Sequence, residues 1–311
     1  MAYFLGVDSG GTKAEFVLGD ETRELARVRT GTIKRLKVDA PTAEANLLDA
    51  LRQLQSATGI SPSQVYSCCI GTAGETVPLV VDWLRDAFGR HVGGRLSITG
   101  DVDVALDSVF FGGRGVLVLA GTGSNVAGRA ATGAVVTAGG WGPALADQGS
   151  GHFIGLEALR RGFLAMDQRR PCVLLDRARA FWKIDSIEDL VEFANMNPAP
   201  DFSRLAPIVV EAAEQGDAVA QEVLEQGGAD LAMLAGLVIE HVRSIEADSA
   251  PFAVPAVAIA SSVLEHIAPV REALIRQLRR TYGEIVVHSK PADAPAGALW
   301  SARQAAAADP Q

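Results

Sequence analysis

Two glycine-rich turns, each following an apolar run, are the parts of this sequence best suited to bind an anion. The first follows Asp8 and the second repeats the pattern about 110 residues later; their residues are Gly10, Gly11, Thr12 and Lys13, then Gly121, Thr122, Gly123 and Ser124. Glycine allows close approach to the backbone, and consecutive turn amides form a concavity for anions. Each turn alone is better explained as an ordinary hairpin. Their repetition, with a carboxylate suited to hydrated Mg²⁺ at Asp8, favours phosphate binding.

Asp101 is the candidate general base. It comes directly after the short apolar run 96–99, and ligands gather at the ends of strands in α/β folds. Phosphoryl transfer to a hydroxyl needs a carboxylate that accepts the hydroxyl proton. Aspartate is also a good helix N-cap, so this second role stays open. Asp103 and Asp107 follow on the same predicted helix and are expected to be solvated or capping.

The composition excludes several classes of protein. With 48% hydrophobic and 21% charged residues over 311 positions, the chain can bury a core, so disorder is excluded. A net charge of −9 argues against nucleic acid as a partner. The three cysteines and five histidines show no metal-ligand spacing, and neither a Walker A motif nor G-x-G-x-x-G is present. No signal sequence or membrane span is found, which predicts a cytoplasmic protein without a membrane partner.

The order of predicted elements indicates α/β layers. A strand–turn–strand pattern covers 3–18 and recurs over 116–131, which suggests two similar halves with mixed sheets. The segment 151–243 has helical periodicity, and its last helix is predicted to be interrupted at Gly227-Gly228. A strand over 254–260, a helix over 264–278, a last strand over 285–287 and a terminal helix over 296–307 complete the chain.

Four segments resemble a known superfamily. Asp8-Ser9-Gly10-Gly11-Thr12-Lys13 resembles the first phosphate motif of the actin/hexokinase/Hsp70 ATPases, and Leu119-Ala120-Gly121-Thr122-Gly123-Ser124-Asn125 resembles the second. Gly139-Gly140-Trp141-Gly142-Pro143 and Asp147-Gln148-Gly149-Ser150-Gly151 resemble the N-acetylglucosamine kinase branch of the BadF/BadG/BcrA/BcrD ATPase family. The matches keep the family order from residue 5 to about 160 and resume at about 254–303.

The resemblance implies a fold, a reaction and a set of roles. It implies α/β architecture with two ribonuclease H-like, actin-like ATPase lobes and a cleft between them. The lobes would span 1–112, joined by the C-terminal helix 291–311, and 113–290, which carries a helical insertion. The activity would be an ATP- and Mg²⁺-dependent sugar kinase, with Asp8 near the metal and Ser261 and Ser262 near adenosine. The substrate residues would be Gly74, Asp101, Gly140, Trp141 and Asp147.

The sequence departs from the family at Gln148, where glutamate is frequent, and at Ser261-Ser262, where glycines are usual. The loop Thr30–Lys37 lacks the family's asparagines and carries a basic cluster of Lys34, Arg35 and Lys37. This cluster is either a solvated strand edge or a device that selects an acidic sugar.

Two other functions are considered. A dehydratase activator would need cysteine ligands for an iron–sulfur cluster, and Cys68, Cys69 and Cys172 have no such spacing. A non-catalytic sugar-binding protein is disfavoured because Asp8 and Asp101 are both retained. The identity of the sugar is not determined by the sequence, and a homodimer is compatible with it.

Overall fold

Both ends of the chain contribute to one structural unit. In the computed structural model, which describes residues 1–247, 251–288 and 290–307, unit 1 contains Met1–Gly113 and the chain from Ala292 onward. Unit 2 is the continuous stretch Arg114–Pro291. Each unit has its own mixed sheet and its own buried core.

Unit 1 begins with a three-stranded meander followed by alternating helices and strands. Its elements in chain order are β1 (Tyr3–Ser9), β2 (Lys13–Gly19), β3 (Glu24–Gly31), α1 (Ala40–Thr58), β4 (Val65–Thr72), α2 (Pro78–His91), β5 (Arg95–Thr99) and α3 (Asp101–Phe110). The sheet order is β3-β2-β1-β4-β5, with antiparallel pairing inside the meander and parallel pairing from β1 to β4 and β5. The parallel strands need the crossovers that α1 and α2 supply.

Unit 2 repeats the same sheet pattern and inserts helices into it. Its elements are β6 (Gly115–Ala120), β7 (Ser124–Arg129), β8 (Val135–Gly139), α4 (Gly151–Asp167), α5 (Leu174–Trp182), α6 (Ile187–Ala194), α7 (Ala206–Glu214), α8 (Ala218–Ile245), β9 (Val257–Ala260), α9 (Ser262–His266) and α10 (Ala268–Tyr282). The sheet order β8-β7-β6-β9, with β6 and β9 parallel, matches β3-β2-β1-β4 of unit 1. The mixed α/β fold class predicted from the sequence is therefore confirmed.

The predicted interruption of α8 at Gly227-Gly228 is wrong, because the helix runs unbroken from Ala218 to Ile245. These glycines serve packing instead. A methyl group at Gly228 would lie 2.4 Å from the Val270 carbonyl oxygen at the start of α10. Glycine at position 228 therefore allows α8 and α10 to approach each other more closely than a residue with a side chain would.

The C-terminal part of unit 2 differs from the prediction in two places. The expected helix over 264–278 is two helices, α9 and α10, separated at Ile267. Pro269 explains the break, because inside a continuous helix its ring would clash with the carbonyl group four residues earlier, whereas proline is tolerated in the first turn of a new helix. The expected strand over 285–287 forms only an isolated bridge between Val287 and Val257.

A last helix, α11 (Ala294–Ala307), completes unit 1. It lies so close to β1 that a methyl group at Gly6 would be 2.2 Å from the Leu299 backbone nitrogen. It also contacts α3, where the Ser301 hydroxyl donates to the buried Asp107 carboxylate at 2.7 Å. Asp107, expected to be solvated or capping, therefore binds the terminal helix to the rest of its unit.

Candidate active site

The first glycine turn joins β1 to β2 and exposes its backbone. Gly11, Thr12 and Lys13 are exposed, and the Thr32 hydroxyl holds the turn from below by donating to the Gly10 carbonyl oxygen at 2.7 Å. Lys13 Nζ donates to Glu15 Oε1 at 2.9 Å. The cation predicted to contact phosphate is thus paired with a carboxylate of its own unit, while the turn amides are accessible.

Asp8, at the end of β1, lies in an environment that opposes its ionisation. Burial and the neighbouring carboxylates of Asp101 and Glu15 raise its pKa to about 6, although Lys13 acts in the opposite direction. The electrostatic effect of Asp101 on Asp8 means that unit 1 brings the two predicted acidic site residues near each other. A cation bound there would relieve the repulsion between them.

Asp101 is the first residue of α3 and does not occupy the N-cap position, which is Gly100. Its Oδ1 accepts from the backbone N–H of Val102 at 2.9 Å. Burial raises the pKa of Asp101, Glu75 raises it further, and Lys34 lowers it. The sequence singled out Lys34 only as part of a basic cluster and missed Glu75, since their proximity to Asp101 depends on three separate loops.

Gly74 lies in one of these loops and has φ +103°, a backbone conformation that side chains rarely adopt. Its N–H donates to Glu75 Oε2 at 3.0 Å, and Leu36 approaches it from the basic loop. Unit 1 therefore groups Asp8, Asp101 and Gly74, three of the residues predicted from the sequence.

The second glycine turn joins β6 to β7 and is held by Asp147. The buried Asp147 carboxylate accepts from the Ser124 backbone N–H at 2.6 Å, and the Ser124 hydroxyl donates to the Gln148 carbonyl oxygen at 2.7 Å. The N-cap of α4 is Ser150. Asp147 therefore shapes the turn rather than starting the helix. Thr122 and Gly123 are the exposed residues of this turn.

A cavity of about 440 Å³ in unit 2 lies beside this turn and has the mixed lining that a nucleoside requires. Its polar side includes Gly121, Thr122 and Ser262. Its apolar wall comes from α7, α9 and the residue between α9 and α10, and consists of Ala206, Pro207, Val210, Val263 and Ile267. The sequence indicated Ser262 through the resemblance but not the α7 wall, which belongs to the helical insertion.

Ser261 adopts the strained backbone angles φ +76° and ψ 163° at the edge of this cavity. Its N–H donates to Glu265 Oε1 at 3.0 Å, and its Cβ would be 3.4 Å from a methyl group at Gly121. This conformation is nearly exclusive to glycine, which is the residue the family usually has here.

A second cavity of unit 2, of about 370 Å³, is lined by the loop 140–147 and the second turn. Gly140, Gly142, Asn125 and Asp147 contribute to it. Gly140 has φ +74°, and a methyl group there would lie 3.0 Å from Asn125 Cγ. Trp141 is 74% exposed, so it is not a core residue. Asn125 also lines this cavity, although the sequence indicated it only as the last residue of the second phosphate motif.

Asp8 fits the Mg²⁺ chemistry predicted for it only together with other ligands. Within residues 1–247, 251–288 and 290–307, no three His, Cys, Asp or Glu side chains are grouped to hold a metal ion. Mg²⁺ commonly binds one or two carboxylates and completes its shell with water and nucleotide phosphates.

In the described part of the chain, no helix is long and apolar enough to cross a membrane.

Two α/β units that repeat one sheet pattern, each with a glycine turn between its first two strands, have the fold of the actin-like ATPases. Residues 5–299 match the BadF/BadG/BcrA/BcrD ATPase family, and the chain belongs to this family. Membership of an ATPase family implies that ATP is the nucleotide used.

Relatives resemble the chain over most of its length. It is 25% identical to the N-acetylmuramic acid/N-acetylglucosamine kinase of Clostridium acetobutylicum over 97% of this chain and 99% of that protein. It is 30% identical to the N-acetyl-D-glucosamine kinase of Dictyostelium discoideum over 77% of this chain and 80% of that protein. A solved structure from Chromobacterium violaceum matches 96% of this chain and 98% of its own, with 25% identity and a TM-score of 0.73.

Proposed function

We propose that this protein is an ATP-dependent kinase that transfers the γ-phosphoryl group to a hydroxyl of an amino sugar. The observation that carries the proposal is the position of Asp101 at a strand end beside Asp8, in a chain whose relatives are named as amino-sugar kinases. Asp101 takes the proton of the acceptor hydroxyl as its oxygen attacks the γ-phosphorus. The bond from that phosphorus to the bridging oxygen breaks, and ADP leaves.

The remaining roles follow from the two turns and the two cavities. The two turns bind phosphate oxygens, and their residues are Gly10, Gly11, Thr12 and Lys13, then Gly121, Thr122, Gly123 and Ser124. Gly11, Thr12, Thr122 and Gly123 offer exposed backbone, whereas the Ser124 N–H is already bonded to Asp147, so Ser124 shapes its turn. Adenosine binds in the 440 Å³ cavity beside Ser261 and Ser262. Asp8 would hold Mg²⁺ together with water and phosphate oxygens, and the ion would supply positive charge against the phosphates.

The acceptor sugar is assigned to Gly74, Asp101, Gly140, Trp141 and Asp147. The exposed indole of Trp141 is suited to pack against the C–H face of a sugar. We further propose a homodimer acting in the cytoplasm, where ATP is available. Exposed Met233 and Leu237 on α8 are candidates for the dimer contact, which light scattering tests.

The structure gives no support to the dehydratase-activator alternative. Cys68 and Cys69 are buried on β4, and burial raises the pKa of both thiols, which disfavours the thiolates that an iron–sulfur cluster needs. Cys172 lies in the other unit.

The direct test is a coupled assay of ADP release with glucosamine, N-acetylglucosamine, N-acetylmuramate and glucose as acceptors. We expect ADP release that depends on one or more amino sugars and is weak with glucose. ADP release that is the same with and without every sugar would contradict a kinase. The appearance of sugar phosphate, followed by mass spectrometry, separates transfer from hydrolysis.

A further inference from the structure

The loop from Thr32 to Val38 is fixed to the first glycine turn and to helix α1. Besides its bond to Gly10, Thr32 offers its carbonyl oxygen to Asn46 Nδ2 at 2.8 Å, and its hydroxyl accepts from the Lys34 N–H at 3.1 Å. The loop closes on itself where the Lys37 N–H donates to the Lys34 carbonyl oxygen at 2.8 Å. The backbone at both lysines is therefore held in place.

The three cations of this loop have different surroundings. Arg35 donates to the Val38 carbonyl oxygen within its own loop. Lys37 extends over the phosphate turn, with its Cε 3.9 Å from the position of a methyl group at Gly11. Lys34 is partly buried and lies close enough to Asp101 to act on it electrostatically. Neither lysine Nζ makes a hydrogen bond or ion pair with another residue among those the structure describes.

A partly buried lysine whose ammonium makes no direct ion pair is unfavourable, and an arriving anion that pairs with it removes that penalty. Phosphate already has the turn amides and Lys37. The loop of Lys34 contacts the Gly74 loop instead, since Leu36 Cδ1 lies 3.8 Å from the position of a methyl group at Gly74. From there Lys34 acts electrostatically on Asp101, the group that would take the proton of the acceptor hydroxyl. An anion that pairs with Lys34 therefore belongs to the acceptor rather than to the nucleotide.

Because Glu75 adds negative charge near Asp101, the positive charge of Lys34 decides whether an anionic acceptor is attracted or repelled. Its carboxyl carbon would lie 3.8 Å from a methyl group at Gly100, next to Asp101, and one of its oxygens accepts from Gly74. The acceptor's surroundings in unit 1 thus contain the carboxylates of Asp8, Asp101, Asp103 and Glu75, and Lys34 is the cation that acts on Asp101. Without the cation, they would repel an anionic acceptor and attract a cationic one.

We propose that Lys34 is a specificity residue that binds the carboxylate of an acidic amino sugar, one whose carboxylate is attached to the same ring as the phosphorylated hydroxyl. The proposal rests on the proposed kinase function. A charge-assisted bond of an ammonium to a carboxylate is among the stronger hydrogen bonds in proteins. It discriminates between acceptors that differ only in this group.

The test compares three acceptors that differ in charge: N-acetylmuramate is anionic, N-acetylglucosamine neutral and glucosamine cationic. Lys34→Met should lower kcat/KM for N-acetylmuramate by about 10- to 150-fold relative to N-acetylglucosamine. The ratio of kcat/KM for glucosamine to kcat/KM for N-acetylglucosamine should rise in this variant. The ratios between sugars cancel any effect of the substitution on the base that all sugars share.

Lys37→Met is the matched control, because it removes the same charge from the same loop. It should change kcat/KM for all three sugars by one common factor and leave their ratios unaltered. The proposal would be overturned if Lys34→Met left the ratio of kcat/KM for N-acetylmuramate to kcat/KM for N-acetylglucosamine unchanged. It would also be overturned if Lys37→Met changed this ratio by the same factor as Lys34→Met.

Calorimetric titration of N-acetylmuramate without nucleotide gives a readout that does not depend on turnover. Binding should be present in the wild type and at least 10-fold weaker in Lys34→Met. Absence of N-acetylmuramate binding to the wild type would overturn the selectivity proposal. Absence of phosphorylation of every sugar, with binding intact, would count against the kinase function instead.

Discussion

At the residue scale, Asp101 and its helix offer a clear test of the general base. Asp101→Asn keeps the shape of the side chain and its bond to the Val102 N–H but cannot accept a proton. We expect kcat to fall about 100-fold or more, in line with the usual contribution of a general base, while nucleotide affinity is preserved. Asp103→Asn, two residues further along the same helix, is the control and should retain most activity. Near-full turnover of Asp101→Asn would refute the assignment.

Asp8 gives a prediction about pH. Its pKa is raised from 3.8 to about 6, so the folded state binds this proton more tightly than the unfolded state. The ionised carboxylate therefore destabilises the fold above pH 6. Asp8→Asn should raise the free energy of unfolding by about 1–3 kcal/mol at pH 8, and the gain should shrink below pH 6 and vanish near pH 4. Chemical denaturation across this range measures it, with the exposed Asp82→Asn as control. A gain in the free energy of unfolding that does not depend on pH would show that ionisation of Asp8 is not its cause.

At the element scale, the connection between β9 and α9 stores backbone strain at Ser261. Such a conformation costs about 1–3 kcal/mol for a residue with a side chain. Ser261→Gly should therefore stabilise the protein by about 1 kcal/mol, after allowing for the larger entropy of glycine in the unfolded chain. Ser262→Gly, in helical geometry one residue later, should instead destabilise it by up to about 1 kcal/mol. Differential scanning calorimetry compares the two; equal shifts in Tm would contradict the strain.

At the scale of the whole molecule, unit 1 depends on a helix from the far end of the chain. A methyl group at Gly297 would lie 1.8 Å from the Val104 carbonyl oxygen, so Gly297→Ala must push α11 away from α3. Overpacking of this kind typically costs about 1–3 kcal/mol. Gly89→Ala is the matched control, because a methyl group on this glycine of α2 meets nothing within 4 Å. It should be stabilising by up to about 1 kcal/mol. Urea unfolding measures both, and equal stability of Gly297→Ala and wild type would mean that α11 does not pack as described.

The sequence by itself determined those features that depend on neighbouring residues. The hairpin at Gly10 and the position of Asp101 after β5 both follow from turn chemistry and apolar periodicity, which operate over a few residues. Recognition of these local motifs in their order was also sufficient for the family and the fold class.

Only the tertiary structure decided which distant segments meet. Asp147 holds a turn 23 residues before it, Gly228 allows α10 to approach, and Lys34 lowers the pKa of Asp101 from a separate loop. The sequence predicted a break at Gly227-Gly228 because glycine is a poor helix former, whereas close packing of two helices outweighs that preference. Local propensities amount to about 1 kcal/mol per residue or less, and contacts between remote segments can exceed them. Such contacts leave no fixed spacing in the sequence, so the charge around Asp101 is a property of the folded chain.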